Sequence, residues 1–424
     1  MVPAILIAVL LLLFAIGLPI AWSLGLASLV TLVAFTGVPL TVLPQRLFTG
    51  TDSFTLIAIP FFLLAGALME EAGISERLIK LAQAFVGHIR GGLGGVSVGG
   101  SMLFSAVSGS GIAATAAMGK IMIPAMLKRG YGKDYAVSVQ ATAGAMGIII
   151  PPSIVMILYS VISGASVGAL FIGGVIPGVL MAASLLVTGY VIAIRRRYPV
   201  EERVPAAKIP VRLLHAIPAL LMPVIILGGI LASIVTATES AVLAVVYALI
   251  YGLITKRINV KRLFKTLYDT ALSTGMIMLI VANASLFAWV ITAERLPQAL
   301  SQMLSGLSEK PFLILAVLVL ILFVAGMFLD TSAALIVLIP VMLPIVQATG
   351  IDLVHFGVIA VLTLAIGLAT PPVGLNLFVA ADIAKVDVLS ATRTLIPFIV
   401  ALLLVVVAIS LVPQLVLWLP GLFG

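Results

Sequence analysis

Two stretches 220 residues apart carry nearly the same text: Ala145-Met-Gly-Ile-Ile-Ile-Pro-Pro152 and Ala365-Ile-Gly-Leu-Ala-Thr-Pro-Pro372. Each lies inside an otherwise apolar segment long enough to span a membrane. A glycine followed four and five residues later by two prolines removes helix propensity and backbone donors where no water replaces the lost hydrogen bonds. Irregular backbone at that depth must line something polar or be buried in protein. Paired interruptions at corresponding positions of two halves point to a secondary transporter, with substrate and coupling-ion sites at the repeat interface.

Composition supports a polytopic membrane protein. The 424 residues are 62% hydrophobic and 9% charged, with a mean hydropathy of +1.33, far from soluble usage. That length has room for about a dozen spans of roughly 20 residues. The net charge of +8 sits between apolar segments, so it reads as topology signals rather than a nucleic-acid footprint. Cysteine is absent, which excludes disulfides and thiol chemistry. The first basic residue is Arg46, so the apolar start lacks a signal peptide's basic region and is expected to remain as membrane helix.

Apolar runs fall at 3–20, 21–37, 54–71, 94–127, 135–160, 168–194, 214–232, 237–255, 270–292, 312–346, 356–381 and 394–418. Runs 94–127 and 312–346 are too long for one crossing. Each has a polar interruption near its middle, Ser105-Ala-Val-Ser-Gly-Ser-Gly111 and Gly326-Met-Phe-Leu-Asp-Thr-Ser332. Each is read as a re-entrant hairpin with its tip inside the protein; a tilted, kinked helix is the alternative. Ile123-Pro-Ala-Met-Leu127 matches Ile339-Pro-Val-Met-Leu343, so the order hairpin, broken helix, plain helix occurs twice.

The linkers 72–93, 128–134, 195–213, 256–269 and 382–393 carry 3, 3, 6, 5 and 2 Lys/Arg, whereas the intervening ones carry Arg46, Arg295 and Lys310. By the positive-inside rule the first group is cytoplasmic. The hairpins then enter from opposite sides, the halves are inverted copies, and both termini lie outside. If 3–37 is one long tilted helix, the N-terminal side changes. The division that follows is: scaffold helices and a first cytoplasmic arm (1–93), transport half 1 (94–194), a basic loop with scaffold helices and a second arm (195–269), a scaffold helix and outer linker (270–311), and transport half 2 (312–424). The arms are amphipathic pieces. Ile74, Leu78, Leu81 and Phe85 share one face, and Lys261, Arg262 and Lys265 flank Leu263, Phe264 and Leu267.

A desolvated Na⁺ needs several oxygen ligands, and carbonyls freed by an unwound helix supply them without formal charge. In the first half Ser105 and Ser108 offer hydroxyls one turn apart, facing carbonyls of Gly147, Ile150 and the Pro152 region. In the second half Gly326 occupies the tip, and Gly367, Thr370 and Val373 the break. One cation site per half is expected; close packing of small residues is the alternative. Asp330-Thr331-Ser332 lies at the second tip, where Asp330 can tune the sodium site, accept a substrate hydroxyl or cap the next helix. Asp52-Ser53 and Glu239-Ser240 precede apolar runs as helix starts do. Asp52, Ser53, Ser110, Asp330, Thr331 and Asn376 are the candidate substrate contacts; Asn283 and Asn376 can instead join helices. Half-helix N-termini and bound Na⁺ would hold a carboxylate without a buried arginine.

No HExxH, paired Cys/His set or GxxxxGK[ST] loop is present, and His88, His215 and His355 are scattered. Metalloprotease and ATP-driven readings therefore have no residues to stand on, and a lipid-modifying enzyme would need a catalytic centre that is not found. The chain reads as a transporter, not an enzyme, with no cofactor beyond sodium as coupling ion.

Phe54-Thr-Leu-Ile-Ala-Ile-Pro-Phe-Phe62, Ser108-Gly-Ser-Gly111, Gly147-Ile-Ile-Ile-Pro-Pro-Ser153, Thr236-Ala-Thr-Glu-Ser240 and Ala369-Thr-Pro-Pro-Val-Gly-Leu-Asn376 resemble the large membrane subunit of tripartite ATP-independent periplasmic (TRAP) transporters, over essentially the whole chain. The resemblance implies an all-α fold like the ion transporter superfamily's, in a bacterial or archaeal inner membrane. It implies sodium-driven import of organic acids such as C4-dicarboxylates and sialic acids by an elevator motion. It also implies two partners, a separate small four-helix membrane subunit and a periplasmic substrate-binding protein. The family's two sodium sites fall on Ser105, Ser108, Gly147, Ile150 and Pro152, and on Gly326, Gly367, Thr370 and Val373. A stand-alone sodium-coupled divalent-anion symporter is the runner-up, and an ion channel the rival from another class.

Overall fold

A computed structural model describes residues 2–294 and 311–423; Arg295, Lys310 and the outer linker between them lie outside the described residues. The described chain is helical, without a β-sheet; its one isolated bridge pairs Arg90 with Val200. Two helices precede residue 38, α1 (Val2–Ala15) and α2 (Ile20–Phe35), so 3–37 is not one long helix. Then come α3 (Val42–Thr51), α4 (Ala58–Glu71) and α5 (Ile74–Val86). The first hairpin is α6 (Gly92–Ser108) and α7 (Gly111–Lys128), followed by α8 (Lys133–Ile149) and α9 (Ile154–Ser163). Next are α10 (Val167–Gly173), α11 (Val175–Arg195), α12 (Ile209–Leu231), α13 (Ala237–Ile254) and α14 (Val260–Ala293). The second hairpin is α15 (Pro311–Phe328) and α16 (Thr331–Ala348), followed by α17 (Leu353–Gly367), α18 (Leu375–Ala384) and α19 (Val388–Leu411).

The partners of each hairpin pack against each other, so runs 94–127 and 312–346 are helix pairs and not kinked single helices. Among the described residues eight helical segments are long and apolar enough to cross a membrane, or nine if the α8–α9 pair, bent by 43°, is one span. Tips and breaks divide several of the dozen apolar runs into helices of 10–17 residues.

Helices α8 and α17 form the centre. Every residue from Tyr135 to Ile149 and from His355 to Gly367 is buried. A helix apolar all round can be enclosed on all sides, which explains why neither run has a polar face. Around them pack α6, α7, α15, α18 and α19. A second set joins α4 to α13 and α14 to α2, α3 and α4, while α5 lies between α6 and α12. On α5, Ile74, Leu78 and Leu81 are buried as the amphipathic reading requires, but Phe85 is 58% exposed. An apolar side chain in the last turn meets lipid at little cost, so the face need not continue. The second arm is not a separate piece. Asn259 accepts from Arg262 N at 2.9 Å to cap a single 34-residue helix, which runs unbroken through the expected boundary at 269/270.

At the end carrying the basic linkers, Asp134 at the start of α8 meets Arg196 at 2.7 Å, and Arg196 also donates to Thr394 Oγ1 of α19 at 2.7 Å. Thr394 donates to the same carboxylate. Tyr198 accepts from Gly132 N at 3.1 Å and packs on Tyr131 with ring centroids 4.5 Å apart. Arg196→Met is expected to lower stability by about 1 kcal/mol, since the pair is part-exposed and screened. Melting curves of the purified chain, with a smaller difference at high salt, check this.

Candidate functional site

The first hairpin turns because Gly109 takes φ +62°, a left-handed conformation suited to glycine, at the end of α6. Ser110 then caps α7, accepting from Ala113 N at 3.4 Å. In the second hairpin Asp330 has the same place: its carboxylate accepts from Ser332 N at 2.9 Å and caps α16. Of the three roles open to Asp330, capping is thus present in the structure.

Both helical breaks meet these tips. In the first, Ile150-Pro151-Pro152-Ser153 separates α8 from α9, and Ser153 caps α9 by accepting from Met156 N at 3.3 Å while donating to Ile148 O. A Cβ on Gly109 would sit 2.7 Å from Pro152 O, and one on Gly147 would sit 2.8 Å from the Ser110 carbonyl carbon. In the second, Gly374 N donates to Met327 O at 3.1 Å and Asn376 N donates across the break to Leu368 O at 2.9 Å. A Cβ on Gly326 would lie 3.2 Å from Gly367 Cα. Both breaks contain a cis Pro-Pro peptide, Pro151–Pro152 and Pro371–Pro372.

The first-site residues are therefore drawn from one tip and one break in contact, as are Gly326, Gly367 and Thr370, with Val373 adjoining Gly374. Ser105 Oγ donates to Ser101 O at 2.6 Å and Thr370 Oγ1 to Ile366 O at 2.7 Å, so both hydroxyl oxygens keep acceptor capacity. Ser108 Oγ is buried without a partner. Buried polar atoms are nearly always hydrogen-bonded, so an orphan calls for an explanation. A hard cation with oxygen ligands fits this donor set. Among the described residues no group of three or more His, Cys, Asp or Glu could hold a metal.

A cavity of about 530 Å³ opens where the tips converge. Ser108, Ser110, Asp330, Thr331 and Ser332 line it, with Ile148 and Ile154 beside the first break and Leu368 beside the second. The N-termini of α7, α9 and α16 all reach its wall, through Gly111, Ile154 and Thr331. Each contributes partial positive charge. No Lys or Arg is among the described lining residues, and Thr331 Oγ1 is a second buried, unpartnered hydroxyl there.

Three substrate candidates, Ser110, Asp330 and Thr331, meet at this cavity, and three do not. Ser53 lines a separate cavity of about 540 Å³ with Thr49, Ser285, Pro340 and Pro344. Asp52 ends α3, its N–H bonded to Phe48 O at 3.2 Å. Asn376 is fully buried, its Nδ2 donating to Ala141 O at 3.4 Å and its Oδ1 unpartnered. Glu239 is a helix start, accepting from Thr236 N at 2.7 Å in a capping box. Asn283 bonds within its own helix to Leu279 O at 2.9 Å.

Sequence reasoning missed the opposite wall, made by Leu63, Gly66 and Glu70 of α4 and by Asp269, Ser273 and Met276 of α14. By sequence Asp269 falls at the end of the basic linker 256–269. Its spacing of four from Ser273 on a continuous helix was the available signal.

Hairpins and interrupted helices converging on one cavity define the class of membrane transporters. The backbone superposes on the YdaH transporter of Alcanivorax borkumensis with a TM-score of 0.66 at 13% identity, covering 88% of this chain and 87% of that one. The family model described as "Tripartite ATP-independent periplasmic transporter, DctM component" matches residues 7–415. The chain is 40% identical over 403 residues to the C4-dicarboxylate TRAP transporter large permease protein of Pseudomonas aeruginosa, covering 95% of this chain and 94% of that one. It is 37% identical over 413 residues to the sialic acid TRAP transporter large permease protein of Vibrio cholerae, covering 97% and 96%. The chain belongs to the DctM family, the large permease component of TRAP transporters. It is a multi-pass inner-membrane transport protein and not an enzyme.

Proposed function

We propose that this permease imports an organic acid, a C4-dicarboxylate, sialic acid or similar carboxylate, driven by Na⁺. The observation that carries the reading is the convergence of three helix N-termini on a cavity next to an orphaned Ser108 hydroxyl. Because Glu70, Asp269 and Asp330 also line that cavity and no described Lys or Arg does, helix dipoles alone do not hold a carboxylate there, and bound cations beside it supply the missing positive charge. The relatives named for C4-dicarboxylates and sialic acid support the substrate class.

In this reading the halves are inverted repeats, and both termini face the periplasm. The hairpins and broken helices move as an elevator along a scaffold of α1–α4 and α12–α14, joined through α5 and the basic end of α14. Cation sites form at Ser105, Ser108, Gly147, Ile150 and Pro152, and at Gly326, Gly367, Thr370 and Val373. Ser110, Asp330 and Thr331 contact the substrate. A periplasmic binding protein delivers it, and a small membrane subunit braces the scaffold, in keeping with a tripartite family.

Reconstitution of the chain with a small subunit and a binding protein in proteoliposomes tests this. Uptake is expected only with an inward Na⁺ gradient and the loaded binding protein, and choline in place of Na⁺ is expected to abolish it. Uptake of free substrate without the binding protein would instead favour a stand-alone symporter.

A further inference from the structure

Gln140 is fully buried halfway along α8, where every neighbour from Tyr135 to Ile149 is buried too. Desolvating an amide there is unfavourable, and a methionine of similar length would avoid it. Its partners both lie on α6. Ser97 Oγ donates to Gln140 Oε1 at 2.5 Å, and Gln140 Nε2 donates to Ser101 Oγ at 3.3 Å. These are the only side-chain hydrogen bonds between α6 and α8 among the described residues. From α7, Gly119 makes room, since a Cβ there would sit 3.2 Å from Gln140 Cγ.

Ser97, Ser101, Ser105 and Ser108 recur along α6 at helical spacing, and all four are buried. The stripe leads from the Gln140 contact to the hairpin tip: Ser105 Oγ bonds to Ser101 O, and Ser108 is the orphaned hydroxyl of the cavity. Helix α8 leads from the same glutamine to Gly147 and Ile150.

We propose that Gln140 is a positioning residue for the first cation site, fixing the rotation and height of α6 on α8 so that Ser105 and Ser108 face the Gly147–Ile150 carbonyls. This rests on the sodium reading of that site. Gln140 touches neither ion nor substrate; it acts through the serines it holds. A rotation of α6 about its axis would swing both tip hydroxyls together. Coordination of a small cation is sensitive to such displacements in a way that apolar helix packing is not.

Thermal melting of the purified full chain in detergent, titrated with Na⁺ against choline, tests the inference. Gln140→Met is expected to raise the Na⁺ concentration for half-maximal stabilisation by about threefold to tenfold, the span that losing one or two buried hydrogen bonds corresponds to. Its melting temperature without Na⁺ is expected to stay at or above the wild-type value. The Li⁺ to Na⁺ preference is expected to shift as well. A role confined to joining two helices would move the ion-free melting temperature and leave the midpoint and preference alone, which overturns the proposal. If Gln140→Met does not fold, Ser97→Ala carries the same comparison, and an unchanged midpoint there overturns it. A wild type with no Na⁺ response overturns the sodium reading and this inference together, whereas a responsive wild type with variants of unchanged midpoint overturns this inference alone.

Discussion

Gly367→Ala is expected to abolish uptake and to destabilise the chain by about 1–3 kcal/mol, the cost of overpacking a closed core. A Cβ on Gly367 would fall 2.8 Å from Gly326 O, and one on Gly326 would fall 2.9 Å from Leu364 O. Those neighbours are backbone, so no rotamer change relieves the overlap. The second tip would have to lift away from the second break and take the Gly374 to Met327 hydrogen bond with it. Gly228→Ala and Gly275→Ala are the matched controls: each lies within a helix with no atom within 4 Å of a new Cβ. They are expected to be neutral or to gain about 0.5–1 kcal/mol from helix propensity. Melting temperature and uptake measured on all three separate a lost contact from a general intolerance of methyl groups.

Ser108→Ala is expected to give effects of opposite sign on stability and on ion response. Without Na⁺ the variant should melt higher than the wild type, because it removes a buried hydroxyl that has no partner and whose burial is worth about 1–3 kcal/mol. With Na⁺ the gap should narrow. A ligand present at about 100 times its dissociation constant stabilises the wild type by about 2.7 kcal/mol, and a variant lacking an oxygen ligand gains less. Thr370→Ala should blunt the Na⁺ response without the ion-free gain, since its hydroxyl already donates to Ile366 O. Melting curves across a Na⁺ series check both. A Ser108→Ala chain that follows the wild-type Na⁺ curve would remove this serine from the cation site.

The tips and breaks were legible in the sequence because glycine, proline, serine and aspartate interrupt helices by local means that no environment hides. Ser110, Ser153 and Asp330 cap helices where those interruptions fall. What escaped was the choice of face. In water, the polar side of a helix marks its exposed surface, but lipid is as apolar as a protein core, so the pattern that locates buried faces weakens. Glu70, inside an apolar run, and Asp269, at the end of a basic linker, carry no motif, although both line the central cavity. Phe85 shares a helical face with Ile74, Leu78 and Leu81 by spacing, yet it is exposed where they are buried. Gln140 carried no visible motif, because its meaning depends on serines about 40 residues away in sequence. The continuity of α14 was missed for a related reason: its charged first turns resemble a loop, while nothing in them stops a helix.

That long helix has a mechanical consequence. Its Asp269–Ile277 stretch fronts the central cavity, and its Val281–Thr292 stretch fronts the separate one beside Ser53. Both cavities therefore border one unbroken helix, so in the proposed elevator movement α14 would serve as a continuous rail along which the hairpins pass, with no break at which the scaffold could hinge.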